Sequence, residues 1–472
     1  MPSSPPPAPP PPEPPDPLLE ALARAEQAAA ARRLHEAVGI CRDVLEAAPD
    51  HPAGLALLGA LLGHRGEIPE AIALLERAVA QNRQIAAWHN NLCSLYRMEC
   101  RLEEAEAAGR AALALAPGVP MLLLNFAKVL MDRGDHAGAT ALFLDVLARE
   151  PQNPEAHLAI GQMLLARGEM RPGWAEYEWR NQLDQARGTI PDMVRPEWNG
   201  MAMPEATIML IGDQGFGDTL QFARFIPEVA RRCREVVLAC GAELAPLLAG
   251  MPGVGRSFSR WQDAPPHTVW CRLTSLGGLL GAAPGAVPTA PYLAASPDLV
   301  REWSSRLAAR LPHRRPRVGL FWAGRGSHPN DRRRSLRLHD LAPVLAAEGV
   351  DFVSLQKQVP APDQALLAAQ PHLLDLSEAL ADFGTTAAVL ENLDLLLTVD
   401  SAVGHLAGAL GRPVTMMSPS PADWRWGLEG TATWWYPSMR VLRQPAPGAW
   451  APVIAAAAAE IALLGRRAAV PR

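Results

Sequence analysis

Two glycine-rich junctions carry the residue types that could do chemistry. The first, IGDQGFGDTL (211–220), follows an apolar run and precedes a helical pattern, the setting of a dinucleotide-binding turn. That fingerprint fails here, because Leu220 stands where a third glycine should follow Gly215 and Gly217. A carboxylate at Asp218 would also repel a pyrophosphate arriving at the helix start, so the loop suits an acceptor hydroxyl better. Asp218 could equally serve as N-cap of the helix TLQFARFIPEVA. Gln214, Gly215, Gly217 and Thr219 complete this acceptor-side loop.

The second junction is LLLTVDSAVGHLAGALGRPV (395–414). A buried strand should end at Asp400, Ser401 can cap the next helix, and Ala402 and Gly404 let a ligand approach. Unpaired N–H groups and the positive dipole end favour a diphosphate there, with the Ser401 hydroxyl and His405 as donors. Further cations are at hand in Lys357, next to Gln356 at a strand end, and in Arg332, Arg333 and Arg334. No D-x-D occurs, so a metal clamp on a diphosphate is not expected, and a helix dipole with cations must neutralise its charge. Hydrolase G-x-S-x-G, zinc H-E-x-x-H and phosphate-loop G-K-[ST] patterns are absent as well. Trp424, Trp426, Trp434, Trp435, Tyr436 and Trp450 read as packing rather than sugar stacking.

These junctions need strands and helices to hold them. From residue 205, the runs 206–212, 235–240, 267–271, 317–324, 350–356, 393–400 and 412–417 read as buried parallel strands alternating with helices. Two α/β halves follow, over 205–305 and 316–465, joined near 296–316 and preceded by a linker at 187–204. Residues 18–186 repeat every 34 positions: Ala37, Ala71, Ala105, Ala139 and Gly173 keep that spacing, as do Gly66, Gly134 and Gly168 among the turns. About five helical hairpins of the tetratricopeptide type result, with RPGWAEYEWR (171–180) sealing the array against the next domain. Residues 1–17 are a Pro-rich leader expected to be disordered.

At 472 residues and 49% apolar, the chain can bury several cores. A net charge of -5 gives no general attraction to nucleic acid, the six cysteines contain no C-x-x-C, and no long apolar run suggests a membrane span. A cytoplasmic location is expected.

The two junctions in this order, with W-A-G (322–324), N-D-R-R-R-S (330–335), S-L-Q-K (354–357), V-D-S-A-V-G-H-L-A (399–407), D-W-R-W (423–426) and W-Y-P-S-M-R (435–440), resemble the heptosyltransferase-type (family 9) GT-B glycosyltransferases fused to tetratricopeptide repeats. The resemblance covers residues 18–465. It implies an α-helical solenoid followed by a GT-B fold, two Rossmann-like domains facing a cleft. It also implies a metal-independent, inverting glycosyltransferase without a cofactor, moving sugar from a nucleotide-diphosphate donor to a protein or glycan hydroxyl. By the same resemblance Asp218 matches the general base, and Asp400, Ser401 and His405 the donor site. Ala402 stands where the family has glycine, and Pro329 where a basic residue is expected. Those two departures favour the alternative, a non-catalytic repeat scaffold with a degenerate transferase domain.

Overall fold

The computed structural model describes residues 16–186, 188–289, 291–326 and 331–469, excepting the side chains of Gln185 and Ala469. Pro329 and residues 1–15 of the leader lie outside them. The chain divides into two compact units, Met1–Glu150 and Pro151–Arg472.

The first unit is a stack of antiparallel helix pairs: α1 (Pro17–Ala30), α2 (Leu34–Ala47), α3 (Pro52–Arg65), α4 (Ile68–Gln81), α5 (Ala86–Met98), α6 (Leu102–Leu115), α7 (Pro120–Asp132) and α8 (His136–Arg149). The fifth pair, α9 (Pro154–Ala166) and α10 (Met170–Tyr177), belongs to the second unit. The leader ends earlier than expected: the Asp16 side chain accepts from the Leu18 N–H and Pro17 opens α1, where a fixed φ and a missing donor cost nothing.

Each pair closes on a small residue. Ala25, Cys93 and Ala127 of the first helices are buried at the 34-residue period, as are Ala37, Ala71, Ala105 and Ala139 of the second. Gly59 and Gly161 fill the same column; a Cβ on Gly161 would lie 2.7 Å from the Tyr177 amide nitrogen. The turn position is left-handed in every pair: Arg32 (φ 60), Gly66 (φ 83), Cys100 (φ 60), Gly134 (φ 83) and Gly168 (φ 84). The hairpin geometry therefore imposes the αL conformation whether or not glycine is present to accept it.

The second unit carries two sheets whose ladders are parallel. β1 (Met203–Ile211), β2 (Cys233–Ala239), β3 (Arg256–Phe258) and β4 (Val269–Arg272) form one in the order β3-β2-β1-β4. The other contains β5 (Arg317–Phe321), β6 (Asp351–Ser354), β7 (Leu373–Asp375), β8 (Leu395–Val399), β9 (Val414–Ser418) and β10 (Met439–Arg443), ordered β10-β9-β8-β5-β6-β7. Strand order reverses beside β1 in the first sheet and between β5 and β8 in the second, so the loops following β1, β4, β5 and β8 leave the strand ends where α/β folds place ligands.

The helix Pro297–Arg310 departs from the expected boundary. It lies within the expected join at 296–316 and runs past the expected end of the first half at 305, and it packs its buried Trp303 and Leu307 face with the second, against the helix Phe383–Leu390. Asn392 Nδ2 also donates to the Val300 carbonyl at 3.0 Å, and the Tyr292 amide donates to Ala409 at 3.1 Å. The crossover to the second half thus precedes this helix. The linker is partly docked, with Trp198 buried, its amide donating to Trp270 at 2.7 Å and Trp270 Nε1 donating to Arg195 at 2.8 Å.

If positive φ strains Arg32 and Cys100, replacing either by glycine should stabilise the first unit by about 1 kcal/mol, while Gly66→Ala should destabilise it. Denaturant unfolding of the three variants decides this; equal midpoints would show that the turns carry no strain.

Candidate functional site

The first junction, expected to be the acceptor side, is built by backbone economy. The chain leaves β1 at Ile211 and starts the helix Phe216–Phe222 with Gly215 as its N-cap. Glycine brings no capping side chain, so Asp218, three positions on, reaches back and accepts from the Gly215 N–H at 3.0 Å. Asp218 is therefore not an N-cap but the third residue of the helix. Thr219 is buried and its hydroxyl donates to the Gly215 carbonyl at 3.2 Å, which fixes the turn from the other side. With the Gln214 amide turned so that both its ends find partners, its nitrogen donates to Asp218 Oδ1 at 3.2 Å and its oxygen accepts from Arg180 Nε at 3.2 Å.

Arg180 brings the last repeat hairpin into the loop. Its Nη2 donates to the hydroxyls of Thr274 (2.7 Å) and Ser275 (2.8 Å), and Thr274 in turn donates to Asp213 at 2.7 Å. Trp174 of α10 donates to the Ala282 carbonyl at 2.8 Å and stands edge-on to Trp424, 5.4 Å away. The segment 171–180 does more than seal hydrophobic surface: it supplies a buried guanidinium to the loop that holds Asp218.

The second junction forms the helix Ala402–Ala409 at the end of β8. Ser401 caps it as expected, accepting from the Gly404 N–H at 3.2 Å, but its hydroxyl is also bonded to Thr398 Oγ1 at 2.8 Å. That hydroxyl holds the turn rather than waiting for a ligand. Gly404 lets the helix lie close to β8, since a Cβ there would meet Thr398 at 3.2 Å. Half-buried Ala402 sits on the first helical turn near Gly217.

The two junctions meet. A Cβ on Gly217 would fall 2.9 Å from His405 Cδ2 and 3.6 Å from the Ala402 Cα, so glycine at 217 is what lets the two helices touch. His405 is 5% exposed, bonds Tyr436 through Nδ1 at 2.9 Å and lies against Trp426 with ring centres 5.1 Å apart. Burial, with Arg425, Arg224 and Arg334 nearby, holds its pKa well below the usual range. His405 is neutral near pH 7, so it brings no charge to a diphosphate.

The charge comes from Arg425, which sequence reasoning passed over. This side chain, 8% exposed, is covered on every side: Nε donates to Gln221 Oε1 (2.6 Å), Nη1 to Asp423 Oδ1 (2.8 Å) and Nη2 to Asp218 Oδ1, while Trp424 stacks under the guanidinium at 4.4 Å. Burial opposes the charge, yet Asp423 and Asp218 hold the Arg425 pKa well above its ordinary value. A second guanidinium, Arg224 at 2% exposure, donates to the carbonyls of Gln221 (2.9 Å) and Trp435 (2.9 Å) and to the Tyr292 hydroxyl (3.2 Å). The signal was D-W-R-W itself, since an arginine between two tryptophans in a buried stretch needs partners. The aromatics do pack as expected, with Trp424, Trp426, Trp435 and Tyr436 nearly inaccessible.

Other expected donor residues stand differently. Gln356 is fully committed, its oxygen accepting from the Trp322 (3.2 Å) and Ala323 (3.0 Å) amides and its nitrogen donating to the Ala323 (2.8 Å) and Gln358 (3.0 Å) carbonyls. It shapes the loop after β5 and has no hydrogen bond to spare. Lys357 lies beyond β6 rather than ending it, and its exposed ammonium donates to the Ala381 carbonyl at 2.6 Å. Within the arginine run Arg332 is exposed, and it is Arg334, at 19% side-chain exposure, whose charge acts on both Asp400 and His405.

Asp400 faces the same cluster. Burial and the Asp423 carboxylate push it up to about 6, against the pull of Arg334 and the Trp426 indole. Among the described residues no three His, Cys, Asp or Glu side chains come together as a metal site, and no helix is long and apolar enough to cross a membrane.

With this geometry in place, comparisons define the class of the repeats. Two segments, 28–93 and 124–170, match family models described as tetratricopeptide repeat, so the chain carries such repeats ahead of its parallel α/β domains. Protein FlbA of Caulobacter vibrioides is 28% identical over 446 residues, covering 86% of this chain and 72% of that protein. Among solved structures, MamA aligns with 38% of this chain and 98% of its own at 18% identity and TM-score 0.31. A thermophilic repeat protein of Thermus thermophilus aligns with 36% and 92% at 21% identity, also with TM-score 0.31.

A raised Asp400 pKa means the folded chain keeps a proton that the unfolded chain releases. That contribution to stability is complete below about 4 and lost as pH rises through about 6. Asp400→Asn should therefore match the wild type near pH 4 and melt at a higher temperature above pH 7. Melting curves at both pH values test this, and parallel curves would remove the buried charge from the account.

Proposed function

We propose that the second unit is a GT-B glycosyltransferase of the heptosyltransferase type: inverting, metal-independent, and using a nucleotide-diphosphate sugar. The observation that carries this reading is the meeting of an acid from one α/β domain with a capped helix start from the other, through Gly217, His405 and the Asp218–Arg425 pair. Both junctions leave the strands beside the reversal of order in their sheets, which supports a ligand site between them.

Asp218 accepts the proton of the acceptor hydroxyl as its oxygen attacks the anomeric carbon, and the sugar inverts as the bond to the diphosphate breaks. The departing diphosphate collects negative charge at the Ala402–Ala409 helix start, where the dipole, Arg425 and Arg334 stabilise it. Asp400, protonated more readily than an ordinary aspartate, adds less repulsion there than its type suggests. The repeats recruit the acceptor, a protein or a glycan carried on one, and Arg180 ties the last hairpin to the acceptor loop.

One observation favours the scaffold reading: the Asp218 carboxylate already serves Gly215, Gln214 and Arg425, and the Ser401 hydroxyl is used as a cap. Thermal shifts with ADP, GDP, UDP and CMP separate the two. A transferase should be stabilised by one of them, by about 2–3 kcal/mol at a hundredfold excess over Kd, whereas stabilisation by none leaves the scaffold. With the matching sugar nucleotide and acceptor, Asp218→Asn should lower transfer by about 10²–10⁴-fold without loss of fold.

A further inference from the structure

We propose that Arg425 is an exchangeable cation: in the free protein it latches Asp218, and a diphosphate takes it over, releasing the carboxylate to work. This rests on the transferase reading and adds to it a ligand for Arg425 and an order of events.

Three observations carry it. First, Arg425 lies between the two halves of the site. It holds Asp218 of the first α/β domain from a position in the second, and its charge is felt at both His405 and Asp400. An anion at the start of the Ala402–Ala409 helix would meet this guanidinium.

Second, the surroundings are short of acceptors. Gln221 Nε2 and the indole N–H groups of Trp424 and Trp435 are buried without hydrogen-bond partners. Gln221 accepts from Arg425, Trp424 stacks on it, and Trp435 lies under the Arg224 guanidinium at 5.0 Å. Arg224 itself is bonded to neutral oxygens and forms no ion pair among the described residues. Buried N–H donors and a buried cation without an acid are what an oxyanion supplies partners for.

Third, the pair's own chemistry opposes catalysis. Asp218 Oδ1 is already taken by Nη2 of Arg425, so a hydroxyl can hand its proton to that oxygen only once the guanidinium has let go. Asp423 remains on Nη1 and Gln221 on Nε, so the guanidinium keeps its place when Nη2 changes partner. The exchange moves no covalent bond and consumes no reagent. It ties release of the base to arrival of the donor, so an acceptor alone is not activated.

The test is binding, read by calorimetry on the full chain with ADP, GDP, UDP and pyrophosphate as probes. Asp218→Asn keeps the side-chain oxygen that accepts from Gly215 but abolishes the charge that competes for Arg425. It should tighten the probe that binds by about five- to tenfold. Asp213→Asn removes an equal charge from a neighbour bonded to Thr274 and not to Arg425, and should change affinity less than about twofold. Arg425→Lys should weaken the probe and abolish the advantage of Asp218→Asn.

Tightening confined to Asp218→Asn, or binding seen in that variant alone, supports the exchange. Unchanged or weaker binding by Asp218→Asn, or equal tightening by Asp213→Asn, overturns it while the wild type's own binding keeps the transferase reading alive. If no probe binds any of these proteins, both fall together.

Discussion

A guanidinium removed from water must be surrounded by oxygen, and that requirement at Arg425 organises the second unit. Its partners come from sequence-distant places: Asp218 and Gln221 lie more than 200 residues earlier in the chain, and only Asp423 is local. The two α/β domains are therefore held at this point by an ion pair that neither supplies alone. Much else follows. Gly217 must be bare for the helices to approach, and Asp218 must sit on the third helical residue to reach both Gly215 and Arg425. The tryptophans then exclude the water that would otherwise solvate the charge.

The same cluster explains why an apparently ordinary repeat hairpin belongs with the α/β unit. Trp174 of α10 and Arg180 in the turn after it extend the buried aromatic and polar network to the last hairpin, and Gln214 joins Arg180 to Asp218. The last repeat hairpin and the Asp218 carboxylate are thereby separated by one glutamine side chain.

What was legible in the sequence was what repeats or alternates. A 34-residue period marks helix pairs because each needs a small residue at the same contact, and Ala37, Ala71, Ala105 and Ala139 are all fully buried. The left-handed turns could be read at Gly66 but not at Arg32 or Cys100, where packing overrides a cost of about 1 kcal/mol. Buried runs gave the long strands, whereas the three-residue β3 and β7 are too short to show a pattern, and β10 lay in a stretch read as aromatic packing. The positions of Asp218, Asp400 and His405 near one another were readable because glycines and small residues mark places where backbones come close. Arg425 and Arg224 were not, since their partners are defined by the fold and not by spacing. Gln356 misled for the opposite reason: a polar residue beyond a strand looks available until its four bonds to backbone are counted.

Asp218 and Arg425 act as one unit joining the two α/β domains. A double-mutant cycle on the unfolding of the full chain, with Asp218→Asn, Arg425→Gln and both together, measures it most directly. The paired change should cost less than the sum of the single ones by about 2 kcal/mol or more. Costs that add to within about 0.5 kcal/mol would contradict it, leaving two residues that merely lie side by side.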